Sequence, residues 1–183
     1  MNVANAITVL RILLIPLLVI FLIEGNDGYA FLVFIAAGVS DGLDGFVAKV
    51  FKQKTLVGAY LDPIADKLLL NTAFITMAVL DVLPAWLAVV VVSRDVIIVA
   101  GLGVLMLLDR PIVIRPSLVS KTTTCLQIGL VGAYLGSNSM PILVEFQQSL
   151  VYLTAIFTLL SGLHYVIVGF QVLGPKPEPH HDK

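Results

Sequence analysis

The chain has 183 residues, of which 58% are hydrophobic and 13% are charged. A soluble domain carries about 25% charged residues, and a single core of this size could not bury so much apolar surface. The composition therefore excludes an ordinary water-soluble domain and predicts an all-α integral membrane protein. The formal net charge of −1 gives no basic surface for nucleic acid, so we expect no nucleic-acid partner.

Six apolar segments are long enough to cross a bilayer as helices, because one crossing needs about 20 helical residues. The connections between them contain Gly, Pro, Asn and Asp, which favour turns. We expect one membrane domain over residues 1–173 and a flexible, solvated tail over 174–183. The predicted spans are 6–24, 29–51, 57–80, 84–108, 117–136 and 146–173.

The positive charges in the connections alternate along the chain. The first, third and fifth connections contain no Lys or Arg. The positive-inside rule then predicts that both termini and the charged connections lie on the cytoplasmic side of the membrane. The cations that define this pattern lie at the second connection, at the fourth connection and in the tail: Lys49, Lys52, Lys54, Arg110, Arg115, Lys176 and Lys183.

Four aspartates cluster near the predicted cytoplasmic ends of the second and third spans. Asp41 and Asp44 are spaced i, i+3, and Asp62 and Asp66 are spaced i, i+4, so each pair shares one helix face. The connection between the two spans is short, and we therefore expect antiparallel neighbours whose acids converge. Ionised carboxylates are costly inside a membrane, so such a cluster needs protons or cations to neutralise it.

This cluster of carboxylate oxygens suits hard divalent ions such as Mg²⁺ or Mn²⁺. A pair of ions about 3.5–4 Å apart stabilises in-line phosphoryl transfer. Gly45, Ala48 and Gly58 lie beside the acids and would let a bulky ligand approach the helix backbones. The alternative for these small residues is ordinary close packing between helices. Lys49, Lys67 and Arg94 could balance part of the negative charge.

The spacing of these residues resembles the signature of the CDP-alcohol phosphatidyltransferases, D-x2-D-G-x2-A-R-x8-G-x3-D-x3-D. Seven of its eight fixed positions match over residues 41–66. The exception is Lys49, where the family has Arg; Lys keeps the charge but lacks the bidentate fork of a guanidinium. The matching residues are Asp41, Asp44, Gly45, Ala48, Gly58, Asp62 and Asp66.

The resemblance implies a fold of six transmembrane helices with a cytoplasm-facing polar cavity, usually assembled as a homodimer. It implies that Asp41, Asp44 and Asp62 coordinate metal in a centre of two divalent ions, Mg²⁺ or Mn²⁺. It also implies that Asp66 helps to hold the second ion and serves as general base. The donor would be CDP-diacylglycerol. The pocket for its CDP group would be lined by Gly45, Ala48, Lys49 and Gly58.

The segment 2–11 also resembles the opening of that family, which often reads N-x-P-N-x-L-T-x-x-R, with Ala4 in place of the usual proline. By this resemblance Asn5 and Thr8 would reach the nucleotide from the first helix. The alternative is that Asn5 and Thr8 cap the helix at the membrane interface.

Arg94, Arg115 and Lys121 are candidate ligands for a phosphate on the acceptor. For Arg94 the alternative is a structural pair with Asp95, and for Arg115 it is a positive-inside anchor. Segments 92–98 and 114–121 resemble the eukaryotic-type cardiolipin synthases of the family, which transfer the phosphatidyl group to phosphatidylglycerol and release CMP. The related phosphatidylglycerophosphate synthases, which use glycerol 3-phosphate, are the alternative.

Two other classes of protein are compatible with acids inside a membrane. A cation or proton transporter would use such a cluster, but its site would lie near the midplane between repeats. Here the acids lie towards one face, and the sequence contains no clear inverted repeat. A lipid-binding scaffold without catalysis would have no need of four aspartates. The sequence therefore favours the enzyme.

Overall fold

In the computed structural model, every segment that is described in regular secondary structure is an α-helix. The structure describes the backbone of residues 3–51, 56–108 and 117–173. Within these ranges it describes the side chains of 9–40, 65–101, 103–105, 107–108 and 117–172. The six helices are α1 (Val3–Ile23), α2 (Asp27–Phe51), α3 (Leu56–Val79), α4 (Ala85–Leu107), α5 (Leu118–Leu135) and α6 (Ile142–Leu173).

Each helix lies on one of the six predicted apolar segments. The largest difference is at α6, which begins at Ile142, whereas the sequence predicts a start at 146. The extra turn contains Glu145, an acidic residue that lowers the local hydropathy. The apolar segment therefore begins later in the sequence than the helix does. A carboxylate in the first turn is nevertheless favourable, because it interacts with the positive end of the helix dipole.

The turn after α1 has the geometry of a Schellman motif. Gly25 adopts a positive φ of 70°, a conformation that costs glycine little. The Gly25 N–H donates to Leu22 O at 3.1 Å, and the Asn26 N–H donates to Phe21 O at 2.9 Å. These two bonds satisfy carbonyls that the end of the helix leaves open, and the chain reverses directly into α2.

Asp81 occupies the corresponding left-handed position after α3, with φ 56°. Its N–H donates to Ala78 O at 3.2 Å, and the Val82 N–H donates to Met77 O at 2.9 Å. Aspartate tolerates this conformation better than most residues with a side chain. The turn therefore ends α3 abruptly and leads the chain into α4.

Helix α3 is central to the packing. It contacts α1, α4 and α5, while α1 also packs on α2, and α6 packs on both α4 and α5. The apolar core runs between these helices and is composed of Leu18, Leu22, Ala30, Phe34, Ala37, Leu69, Leu70, Ala73, Phe74, Met77, Leu83, Leu87, Ala88, Val91, Leu130, Val131, Leu135, Val151 and Ala155. Side chains on α3 are thereby brought within reach of α1 on one side and α4 on the other.

The outer surface is unusually apolar for a protein in water. Large hydrophobic side chains are exposed on all six helices, whereas several polar side chains, such as Arg11, Arg94 and Thr158, are buried. This distribution is typical of helices that face lipid and keep their polar groups inside the bundle. Within the described residues, the stretches Ala85–Leu105 and Ile142–Val172 are long and apolar enough to cross a membrane.

Candidate active site

The Asp66 carboxylate is paired with a guanidinium from a different helix. Arg11 on α1 donates from Nη1 to Asp66 Oδ1 on α3 at 2.7 Å. The Arg11 side chain is fully buried, whereas 41% of the Asp66 side chain is exposed. An arginine can remain inside an apolar bundle only when an acceptor compensates for its lost hydration. The pair therefore accounts for the charge on α1 and holds one oxygen of Asp66.

Asp66 also lines a cleft between α2, α3 and α5. The cleft has a volume of about 370 Å³, and Asp66 is the one charged residue among the ten described residues that line it. Phe34 and Ile35 on α2 and Ile128 on α5 contribute to its apolar walls. A carboxylate at the edge of such a space can accept a hydrogen bond or a proton from the polar end of an amphipathic molecule.

A second charged cluster joins the four helices α3 to α6. Arg94 on α4 donates from Nη1 to Asp95 Oδ1 at 2.7 Å and from Nη2 to Ser120 Oγ on α5 at 2.7 Å. Ser161 Oγ on α6 accepts from Nε at 3.2 Å and from Nη2 at 2.7 Å. The Arg94 Cζ atom lies 5.8 Å from the centroid of the Tyr165 ring, within the range of a cation–π contact.

These contacts limit the number of N–H donors with which Arg94 could bind a ligand. A guanidinium carries five N–H donors, and the four bonds to Asp95, Ser120 and Ser161 occupy four of them. At most one donor remains, so a bidentate grip on a phosphate would require some of these bonds to exchange. In this conformation, the side chain holds helices together.

Lys67 follows Asp66 on α3 and contacts the same network. Its Nζ donates to Asp95 Oδ1 at 3.0 Å, and 34% of its side chain is exposed. An ammonium has three N–H donors, of which this bond uses one. Lys67 is thus better placed than Arg94 to bind an additional anion.

The other predicted site residues fall mainly outside the described side chains. Lys121 is exposed near the start of α5, one residue after Ser120. Arg115 lies outside the described residues. The backbones of Asn5, Thr8, Asp41, Asp44, Gly45, Ala48, Lys49, Gly58 and Asp62 belong to α1, α2 and α3, and their side chains are outside the described set.

The metal site accordingly stays a prediction. Among the side chains that are described, no three His, Cys, Asp or Glu residues come together. Three of the four predicted ligands, Asp41, Asp44 and Asp62, are not in that set. The fourth, Asp66, has an accessible carboxylate of the type that Mg²⁺ and Mn²⁺ prefer, so its donor chemistry fits such an ion.

Sequence analysis did not identify the Arg11–Asp66 pair or the Lys67–Asp95 bond. The partners are 55 and 28 residues apart, so no local spacing connects them. A general signal was nevertheless present, because a charged residue inside an apolar helix needs a partner of opposite charge. Applied to Arg11, that rule would have directed attention to the four aspartates.

Comparison with known proteins gives the family directly. The sequence model of the CDP-alcohol phosphatidyltransferase family matches residues 1–160. The CDP-diacylglycerol–glycerol-3-phosphate 3-phosphatidyltransferase of Bacillus subtilis is 32% identical over 94% of this chain and 97% of its own length. The enzyme of the same name from Haemophilus influenzae is 34% identical over 91% of this chain and 92% of its own.

The cardiolipin synthase (CMP-forming) of Rattus norvegicus is 31% identical over 74% of this chain. The match covers 50% of the rat protein, so this chain spans about half the length of that relative. Relatives with two different acceptors thus have nearly equal identity to the chain, which supports phosphatidyl transfer without selecting the acceptor. From the match over residues 1–160 and these relatives, the chain belongs to the CDP-alcohol phosphatidyltransferase family.

Proposed function

We propose that this protein is a metal-dependent membrane enzyme that transfers the phosphatidyl group of CDP-diacylglycerol to phosphatidylglycerol, giving cardiolipin and CMP. The observation that carries the choice of acceptor is the position of Asp66 at an apolar cleft. The acceptor hydroxyl must meet the general base, and a lipid acceptor has hydrocarbon chains that apolar walls can accommodate. Glycerol 3-phosphate has no such chains.

The reaction that we propose is a single displacement. Asp66 accepts the proton of the acceptor hydroxyl, and the oxygen forms a bond to the phosphorus attached to diacylglycerol. The bond from that phosphorus to the bridging oxygen of the pyrophosphate breaks, and CMP leaves with the electron pair. Divalent ions held by Asp41, Asp44, Asp62 and Asp66 would supply electrostatic stabilisation of the developing negative charge.

We assign the remaining predicted residues to binding. Gly45, Ala48, Lys49 and Gly58 would line the CDP pocket. Asn5 and Thr8 would reach the nucleotide from α1. These roles rest on the family signature and the family opening, which this sequence matches at the same spacing with exceptions that include Lys49 and Ala4.

The cations near the second charged cluster would bind the acceptor phosphate. Lys121 is exposed at the start of α5, and we retain it together with Arg115 for this role. For Arg94, the bonds to Asp95, Ser120 and Ser161 favour the structural alternative. Lys67 has donors in reserve and is an additional candidate.

The second candidate function is phosphatidylglycerophosphate synthesis, with glycerol 3-phosphate as acceptor. It is favoured by the Bacillus subtilis relative, whose name specifies glycerol 3-phosphate and which aligns over 97% of its length. The reaction class and the role of Asp66 would be unchanged. Only the group that enters the acceptor site would differ.

We further propose that all six helices span the membrane, with both termini and the active site on the cytoplasmic side. The apolar outer surface on every helix supports the membrane location, and the alternation of loop cations supports the orientation. The homodimer implied by the family resemblance stays a prediction, as does the solvated tail over 174–183.

A product assay separates the two acceptors. Purified protein in mixed micelles receives CDP-diacylglycerol with Mg²⁺ or Mn²⁺, and phosphatidylglycerol or glycerol 3-phosphate is added separately. Mass spectrometry then identifies the lipid product. We expect cardiolipin and an equal amount of CMP from the reaction with phosphatidylglycerol.

The possible outcomes have different consequences. Phosphatidylglycerophosphate as the product, with no cardiolipin, would replace the proposed acceptor and leave the phosphatidyl transfer intact. Cation flux through proteoliposomes without CMP release from either acceptor would overturn the enzyme assignment and favour the transporter.

A further inference from the structure

We propose that Arg11 is a positioning residue that orients the Asp66 carboxylate for reaction. This inference rests on the proposed function, in which Asp66 is the general base, and adds a residue to which that function assigns no role. The contact that carries it is the Arg11 Nη1 to Asp66 Oδ1 hydrogen bond of 2.7 Å between α1 and α3.

The burial of the pair distinguishes positioning from catalysis. Arg11 is fully buried, and it is not among the described residues that line the cleft. Asp66 lines the cleft, and 41% of its side chain is exposed. A ligand in the cleft can therefore touch Asp66, and the bond to Asp66 gives Arg11 a way to influence that ligand.

The bond restricts the motion of a side chain that is otherwise mobile. An aspartate has two side-chain torsions, and the terminal one is broad. A short charge-assisted bond to Oδ1 fixes the rotation of the carboxylate, and so fixes the direction of Oδ2. Because Arg11 is itself held by packing inside the bundle, the orientation of Asp66 is set by the seating of α1 on α3.

The placement of a charge here would otherwise be hard to explain. The other fourteen residues from Val9 to Ile23 are uncharged, so Arg11 is the one ionisable side chain in this described stretch of α1. A methionine would fill a similar volume in an apolar helix without the cost of burying a cation. Retaining an arginine at this depth is reasonable when its charge acts on a functional group.

Steady-state kinetics on Arg11 variants test the proposal. CMP release is measured for Arg11→Met and Arg11→Lys with both substrates varied, and rates are expressed per folded molecule. We expect kcat of Arg11→Met to fall about 100-fold, as expected for a misplaced reacting group. Both KM values should stay within about threefold of wild type, because Arg11 is fully buried and is not among the described residues that line the cleft.

Arg11→Lys serves as the conservative variant. It keeps the positive charge and a donor but lacks the planar fork of the guanidinium. We therefore expect its kcat to be about tenfold higher than that of Arg11→Met. Leu18→Ala is the control for packing, because Leu18 is a fully buried residue of the same helix. Leu18→Ala should lower the unfolding temperature and leave kcat per folded molecule close to wild type.

Each result bears on the proposal. Wild-type kcat in Arg11→Met overturns it, and so does an equal loss of kcat in Leu18→Ala, which would mean that any loosening of α1 has the same effect. An Arg11→Lys variant no better than Arg11→Met also overturns it. An inactive Asp66→Asn beside an active Arg11→Met would refute only the positioning role, whereas an active Asp66→Asn would refute the proposed base as well.

Discussion

Among the described side chains there are two ion-paired clusters, and they differ in how accessible the carboxylate is. In the Arg11–Asp66 pair, the cation is fully buried and 41% of the carboxylate side chain is exposed at a cleft. In the Arg94–Asp95 pair, both partners are buried, with side-chain exposures of 6% and 9%. Both pairs have the same bond length of 2.7 Å, so distance alone does not distinguish them.

The difference lies in what surrounds each pair. Around Arg94, hydroxyls from α5 and α6 and a tyrosine ring complete a network that occupies four N–H donors. Such a network fixes the relative positions of helices. Asp66, unlike Asp95, lines a cleft about 370 Å³ in volume. The buried Arg94–Asp95 pair is therefore assigned to holding helices together. The Arg11–Asp66 pair, whose carboxylate is accessible, is assigned to the reaction.

The largest effect is expected at the Arg11–Asp66 pair. Asp66→Asn keeps the size of the side chain and removes its ability to take up a proton, so CMP release should fall by at least about 100-fold. The measurement is CMP released per folded molecule. Glu145→Gln is a matched acid-to-amide control at an exposed position on α6, and it should retain wild-type turnover. Near-normal turnover in folded Asp66→Asn would remove the base assignment.

The Arg94–Asp95 cluster should respond chiefly in stability. Arg94→Met leaves Asp95 buried with Lys67 as its one charged partner among the described residues, and it removes the donor to Ser120 and Ser161. We expect the free energy of unfolding in detergent to fall by about 3 kcal/mol. An unchanged unfolding midpoint, combined with a raised KM for the acceptor, would instead assign Arg94 to phosphate binding.

A smaller loss is expected when one hydroxyl of the network is removed. Ser161→Ala deletes the acceptor of two bonds from Arg94 and should lower the free energy of unfolding by about 1.5 kcal/mol. Ser40→Ala is the matched control, because among the described residues that hydroxyl bonds to Ala36 O of its own helix and to no other helix. Equal effects of the two substitutions would show that the network adds no stability of its own.

The smallest effect concerns the cleft. No described heavy atom lies within 4 Å of a Cβ built at Gly38, which lines the cleft on α2. Leucine there would occupy part of the space, and Gly38→Leu should raise the apparent KM for phosphatidylglycerol about tenfold. Gly101→Leu on α4, where a Cβ also meets nothing within 4 Å, is the control. An equal KM for phosphatidylglycerol in both variants would show that the acceptor does not bind in the cleft.

The fold was largely predictable from the sequence, because long apolar segments with turn residues between them have few alternatives to helices. Gly25 and Asp81 lie in the predicted connections, and both adopt positive φ at the ends of α1 and α3. The order in which helices pack was not predictable in the same way. Contacts such as those of α4 with α6 depend on the three-dimensional fit of side chains and not on local periodicity.

The site was predictable only in part. Asp66 stands out from its spacing with Asp62 and from the family signature, whereas its partner Arg11 is 55 residues away and required the packing of α1 on α3. Arg94 was predicted as a phosphate ligand because a cation in an apolar span suggests function, with a structural pair to Asp95 as the alternative. Its bonds to Ser120 and Ser161 come from two other helices, which no single segment of sequence indicates.

The central claim is that α2 and α3 together hold a two-ion centre. Its most direct test is electron paramagnetic resonance of Mn²⁺ that is titrated into purified protein with CDP-diacylglycerol. The account predicts two ions per chain and a spin-coupled spectrum, since paired ions in such sites lie about 3.5–4 Å apart. Asp41→Asn and Asp66→Asn should each abolish the coupling. One isolated ion per chain, or a spectrum that neither substitution changes, would contradict the account.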